Sequence, residues 1–144
     1  MARSENKKQE LSKKYFVIEE VEELLPKVEK AMAEAVKLNK VLDLLSSIEI
    51  EVYDENQDDL KKVTKLNKQF HMLSFKFYRN MEILEDMGCI VKDLDIGLVD
   101  FYSRFEGKEI LLCWKLGEKG IKYWHDVEAG YAGRRPIMDL RKEK

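Results

Sequence analysis

Apolar residues recur at Val21, Leu24, Val28, Ala31, Ala35, Leu38, Leu42 and Leu45, in alternating steps of three and four. That spacing lines one face of an α-helix and repeats like a coiled-coil seam. It predicts helix one over 18–53. Pro26 falls inside the pattern, so either a short helix over 18–25 precedes a longer one or a single helix bends there. The polar run 54–59 reads as a turn, with Asn56 or Asp58 capping a second helix. The seam of that helix runs through Val63, Leu66, Phe70, Leu73, Phe77, Asn80, Leu84 and Met87, and Gly88 closes it. It predicts helix two over 58–88, folded back on helix one as an antiparallel hairpin. Asn80 occupies a seam position where an apolar side chain is expected. A polar residue there fixes register or oligomeric state, or bonds a ligand or the sheet.

After Gly88 the period shortens from 3.6 to 2. Segments 98–105, 109–116 and 121–126 are rich in β-branched and aromatic residues, separated by Glu106-Gly107 and by Gly117-Glu118-Lys119-Gly120. They predict a three-stranded antiparallel meander over 97–126, and Cys89-Ile90-Val91 is a candidate short fourth strand. Residues 1–14, with five basic and two acidic residues, read as a mobile basic tail. Residues 127–144 read as an irregular C-terminal segment. The whole is expected to be one α+β domain, a long antiparallel helical hairpin packed against the C-terminal three-stranded antiparallel β-meander.

Composition bounds the function. The 144 residues are 44% hydrophobic and 38% charged, enough to bury one core. The net charge of -2 attracts neither nucleic acid nor anionic lipid. The longest apolar run, from Ile110 to Trp114, is too short to span a membrane. Without an apolar leader, and with two cysteines expected to be free thiols, the chain reads as cytoplasmic. Residues 60–81 carry Lys61, Lys62, Lys65, Lys68, Lys76 and Arg79 and no acid, whereas 40–59 carry seven acids and Lys40. Charge pairing within the hairpin accounts for the basic run better than RNA does, so nucleic acid is disfavoured as a partner.

The meander suggests a candidate site. Pairing Leu116 with Ile121 sets Trp114 opposite Tyr123, Cys113 opposite Trp124 and Leu112 opposite His125. A two-residue turn at Glu106-Gly107 would set Asp100 beside Cys113 and Phe101 beside Leu112, whereas a one-residue slip there would exchange the Asp100 and Phe101 faces. Leu112, Trp114, Leu116, Ile121 and Tyr123 are then expected to cover the helices and to bring His125 with them. On helix two, Asn67, His71, Ser74 and Tyr78 form a polar stripe. Asp100, Glu118 and His125 are the candidate catalytic groups; His71 and His125 are the candidate metal ligands. Arg134, Arg135, Trp124, Tyr78 and His71 are candidate ligand-binding residues, the two arginines as a clamp for carboxylate or phosphate. No motif indicates a cofactor, since phosphate loops, dinucleotide fingerprints and nucleophile elbows are lacking. Cys113, between Leu112 and Trp114, reads as a small buried apolar residue.

Between Gly97 and Ile137 the chain resembles an uncharacterised prokaryotic family, domain of unknown function 2203. The residues that carry the resemblance are Gly97-Leu98-Val99-Asp100-Phe101, Leu112-Cys113-Trp114, Gly117-Glu118, Trp124-His125 and Gly130-Tyr131-Ala132-Gly133-Arg134-Arg135-Pro136-Ile137. The opening Tyr15-Phe16-Val17-Ile18-Glu19-Glu20, with Leu24-Leu25-Pro26, also resembles that family. Two departures stand out: Tyr102 where the family places proline, and Val17 where it favours a capping threonine. The family has no assigned activity, so the resemblance implies no mechanism. It does single out Asp100, Glu118, His125 and Arg134 as serving a site or a fixed structural bond.

Three functions are expected. The first is an interaction or assembly module, dimeric through a hairpin with aromatic residues on more than one face (Phe70, Phe75, Phe77, Tyr78). The second is a small-ligand or metal site, with hydrolysis as its chemistry, between sheet and hairpin. The third is RNA or ribonucleoprotein contact through the basic run from Lys61 to Arg79 and through Arg134-Arg135. Whether the chain is an enzyme stays open at this point.

Overall fold

The structure, a computed structural model, describes residues 13–48 and 57–141. Helix α1 spans Ile18–Ser46 and α2 spans Gln57–Asp86. The predicted last residues of helix one, 49–53, lie outside the described residues, as does the tail up to residue 12. Lys13 and Lys14 are held: Lys13 pairs with Glu109 at 3.6 Å, and Lys14 lies over the Phe16 ring. Pro26 sits inside one continuous helix, which excludes the alternative of a separate short helix over 18–25. At the start of α1 the Glu20 carboxylate accepts the Val17 backbone N–H at 3.1 Å. Valine offers no oxygen in return, so only half of a capping box is present. At the end of α2, Gly88 takes φ +90° while the Cys89 N–H bonds back to the Leu84 carbonyl. Any β-carbon there would collide with the Phe16 ring, so glycine both ends the helix and admits the aromatic ring.

The sheet has five strands, not three: β1 (Ile90–Asp93), β2 (Leu98–Phe105), β3 (Lys108–Lys115), β4 (Tyr123–Asp126) and β5 (Arg135–Pro136). They pair in chain order, all antiparallel. The candidate fourth strand after Cys89 is β1. The C-terminal segment is not simply irregular either: a 3₁₀ turn (Tyr131–Gly133), β5 and a short helix α3 (Met138–Arg141) lie within it. The first hairpin has the predicted two-residue turn, with Glu106 and Gly107 both at positive φ, and pairs Asp100 with Cys113 and Phe101 with Leu112. The second is one residue out of the predicted register. Leu111 faces His125, Leu112 faces Trp124 and Cys113 faces Tyr123. That slip exchanges the faces of β4.

One sheet face carries Val99, Phe101, Ile110, Leu112, Trp114 and Trp124 into a core with Val21, Leu25, Val28, Ala31, Met32 and Ala35 of α1 and Leu84 of α2. Tyr123 and His125 are not on it, contrary to expectation. Helix α1 is buried along its seam as far as Leu38. From Asp58 to Arg79, α2 has no fully buried residue. The body therefore holds the first part of the hairpin, and the rest projects from it.

Val17 is 56% exposed, so a threonine there would cost little packing and would supply the missing acceptor. We expect Val17→Thr to stabilise the fold by about 0.5–1 kcal/mol, read as a higher urea midpoint with an unchanged slope.

Candidate functional site

Cross-strand pairing sets Asp100 (β2), Cys113 (β3) and Tyr123 (β4) in one row, with His125 two residues further along the same face of β4. Alternation puts all four on the face opposite to Leu112 and Trp114. The cluster thus lies on the side of the sheet away from the hairpin, not between sheet and hairpin as the predicted β4 register implied. It is nevertheless sealed. Asp100, Cys113 and His125 are 1%, 0% and 2% exposed.

His125 Nε2 lies 3.2 and 3.1 Å from the two carboxylate oxygens of Asp100. Its Nδ1 lies 2.8 Å from the Asp126 carbonyl oxygen. A carbonyl only accepts, so Nδ1 carries a hydrogen and Nε2 is left facing the carboxylate. Both ring nitrogens are thereby occupied. In this conformation the imidazole has no free position for a substrate proton. A ligand nitrogen, oxygen or sulfur atom from each of Asp100, Cys113 and His125 lies within 4.8 Å of the other two.

A second pair adjoins the first. Arg134 Nη2 donates to Glu118 Oε1 at 2.6 Å and reaches the Cys113 carbonyl oxygen at 3.5 Å. The same Glu118 oxygen accepts the Lys115 backbone N–H at 2.6 Å. The guanidinium lies 4.1 Å from the Tyr123 ring centre and 4.9 Å from that of Tyr131. Arg134 Nε is buried and has no partner among the described residues. Burial works against the charge of Arg134, but the Glu118 carboxylate and Cys113 together outweigh it and raise the pKa above the usual arginine value. Asp100, Glu118, His125 and Arg134 thus form two pairs that meet at Cys113. Cys113 is not among the groups expected to be catalytic. The sequence does carry the signal, since one of the two registers open to the first hairpin places the thiol beside Asp100.

The remaining candidates are elsewhere. His71 and Tyr78 are exposed on α2, and their rings touch their neighbours Phe70 and Phe77. His71 and His125 lie on opposite sides of the sheet and cannot share a metal ion, because the one-residue slip in β4 turns His125 outward. Trp124 faces the core, with its indole N–H unpartnered among the described residues. Exposed Arg135 lies 5.3 Å from the Trp124 ring centre. The two arginines do not converge as a clamp, because Arg134 is committed to Glu118. Asn80 is buried and donates to the Lys76 carbonyl of its own helix, not to the sheet.

The buried thiols and the Glu118 carboxylate can each be tested. Burial pushes the Cys89 thiol up to about 12; burial, then the Asp100 carboxylate, do the same to Cys113, against Arg134. The thiolate is the reactive form. At about pH 8 we expect neither thiol to react with an aromatic disulfide reagent in the folded chain, and both to react in denaturant. Glu118→Ala removes the acceptor of both Lys115 and Arg134 and leaves a mostly buried guanidinium unpaired. Chemical denaturation should read a loss of about 2 kcal/mol.

No curated protein and no solved structure matches the chain. The model of the family described as "Uncharacterized conserved protein (DUF2203)" matches residues 14–137, a span that holds the sheet, the hairpin and both buried pairs. The chain belongs to that family.

Proposed function

We propose that the chain is a cytoplasmic assembly module that dimerises through the projecting part of its hairpin. The observation that carries this reading is the bareness of α2. From Asp58 to Arg79, about 33 Å of helix at 1.5 Å per residue, no side chain is fully buried. The seam residues Val63, Leu66, Phe70, Leu73 and Phe77 are only half-buried against α1. Outside the seam, Phe75 and Tyr78 are 68% and 65% exposed, and Leu60, Met72 and, on α1, Leu44 are also exposed. Two helices alone leave each other's seams half open, whereas four close them.

Charge favours a second copy as the occupant. Lys61, Lys62, Lys65, Lys68, Lys76 and Arg79 are exposed and form no ion pair among the described residues. A two-fold arrangement with its axis along the projecting arms sets α2 of each copy beside α1 of the other with the tips together. Each basic run then approaches the acidic 40–59 sequence of its partner. Two free, buried cysteines suit a reducing compartment.

Phe75→Glu should leave the monomer folded, because the side chain is exposed. It should weaken dimerisation by at least about 10-fold, read by sedimentation equilibrium. A wild-type chain that stays monomeric at high micromolar concentration would overturn the proposal. Salt-sensitive retention of RNA by such a monomer would replace it with the RNA reading.

A further inference from the structure

We propose that Asp100, Cys113 and His125 form a binding site for a divalent transition-metal ion, with zinc the best chemical match. One carboxylate oxygen, one imidazole nitrogen and one thiolate sulfur make a mixed donor set that suits a borderline-soft ion and offers little to magnesium or calcium. The donor atoms already lie within 4.8 Å of one another. They come from three adjacent strands of one sheet, so the backbone sets their spacing without any loop closing.

The histidine is oriented as a ligand would be. Its Nδ1–H is spent on the Asp126 carbonyl at 2.8 Å, which fixes the ring and leaves Nε2 to face the cluster. The Asp100 carboxylate presents both oxygens to Nε2 at nearly equal distances, 3.2 and 3.1 Å. A lone histidine–aspartate bond needs only one of them. Nor does stability explain the cluster. Replacing a buried ion pair by apolar residues of the same volume is often neutral or stabilising, and Leu98 and Leu111 on the same face show that aliphatic side chains fit there.

Binding balances in charge and protons. A divalent ion held by a neutral imidazole, a carboxylate and a thiolate makes a site of zero net charge, and the thiol proton of Cys113, with any proton held by Asp100 or His125, leaves to solvent. Three protein donors leave the fourth tetrahedral position to a water or an exchangeable anion.

Cobalt(II) titration of the full chain tests this directly. We expect one equivalent to bind with a thiolate-to-cobalt charge-transfer band and the intense visible bands of four-coordinate cobalt, and zinc to displace it. Cys89→Ala should keep the thiolate band. Cys113→Ser and His125→Gln should abolish it and weaken metal binding by more than about 100-fold, with folding checked by circular dichroism. Should those two variants unfold, wild type and Cys89→Ala still decide the matter. A wild-type spectrum with no thiolate band, or a band lost in folded Cys89→Ala, would overturn the proposal. Monomeric and dimeric chain serve equally in this experiment, so its outcome is separable from that of the assembly reading.

Discussion

The period-two alternation of β2 and β3 governs this molecule, because both faces of the sheet are buried and each carries different chemistry. Val99, Phe101, Leu112 and Trp114 point into the hairpin core, while Leu98, Asp100, Leu111 and Cys113 point away from it. The hairpin face holds the fold mainly through apolar contact, each large side chain contributing about 1.5–3 kcal/mol. Among the described residues neither helix of the hairpin covers the outer face, and the polar groups there find partners among themselves, in the C-terminal segment and in Lys13 and Tyr15. The Asp100–His125 and Glu118–Arg134 pairs are the result. A slip of one residue in these strands would drive Asp100 and Cys113 into the apolar core and take Trp114 out of it, so register and site stand or fall together.

Glu118 sets that register on the β4 side. One of its oxygens accepts the Lys115 N–H, and its own N–H returns to the Lys115 carbonyl at 2.9 Å. Both backbone groups that Lys115 would offer to β4 are therefore used locally, and pairing with β4 starts only at Cys113. The same oxygen holds Arg134. A single carboxylate thus ends one ladder and ties down the segment that covers the outer face. Trp114 strengthens the turn by donating its indole N–H to the Glu118 carbonyl at 3.0 Å.

These particulars explain what the sequence could and could not reveal. The two seams are read from spacing alone, because helical periodicity is a local property that packing only confirmed. At the Glu106-Gly107 turn the sequence left two registers open; two residues at positive φ select the one that pairs Asp100 with Cys113. The second hairpin was not legible. Its loop is shaped by a side chain bonding to the backbone, which leaves no trace in hydrophobic alternation. Strand β5 is two residues long and contains Pro136, which removes a ladder donor and marks an edge. Asp100, Glu118, His125 and Arg134 were all identifiable as unusual. Their division into two pairs meeting at Cys113, and their position on the far face, depended on the β4 register. The separation of His71 from His125 has that same origin.

The fold also divides along its length. Burial in the hairpin stops at Leu38 on α1 and begins only at Asn80 on α2. Asn80 sits at that junction, a buried amide satisfied within its own helix by the Lys76 carbonyl. Beyond it the seam continues in sequence but lacks a sheet to pack on. Helical periodicity does not report what covers a helix, so the two seams look uniform although half of each is core and half is surface. Packing against the sheet thus stabilises one end of the hairpin, while the other end depends on what it meets in solution. The Asp100–Cys113–His125 cluster lies on the opposite side of the sheet from both. Changes in the projecting arm therefore leave the outer-face geometry intact, and the proposed assembly through one part is compatible with the proposed binding at another.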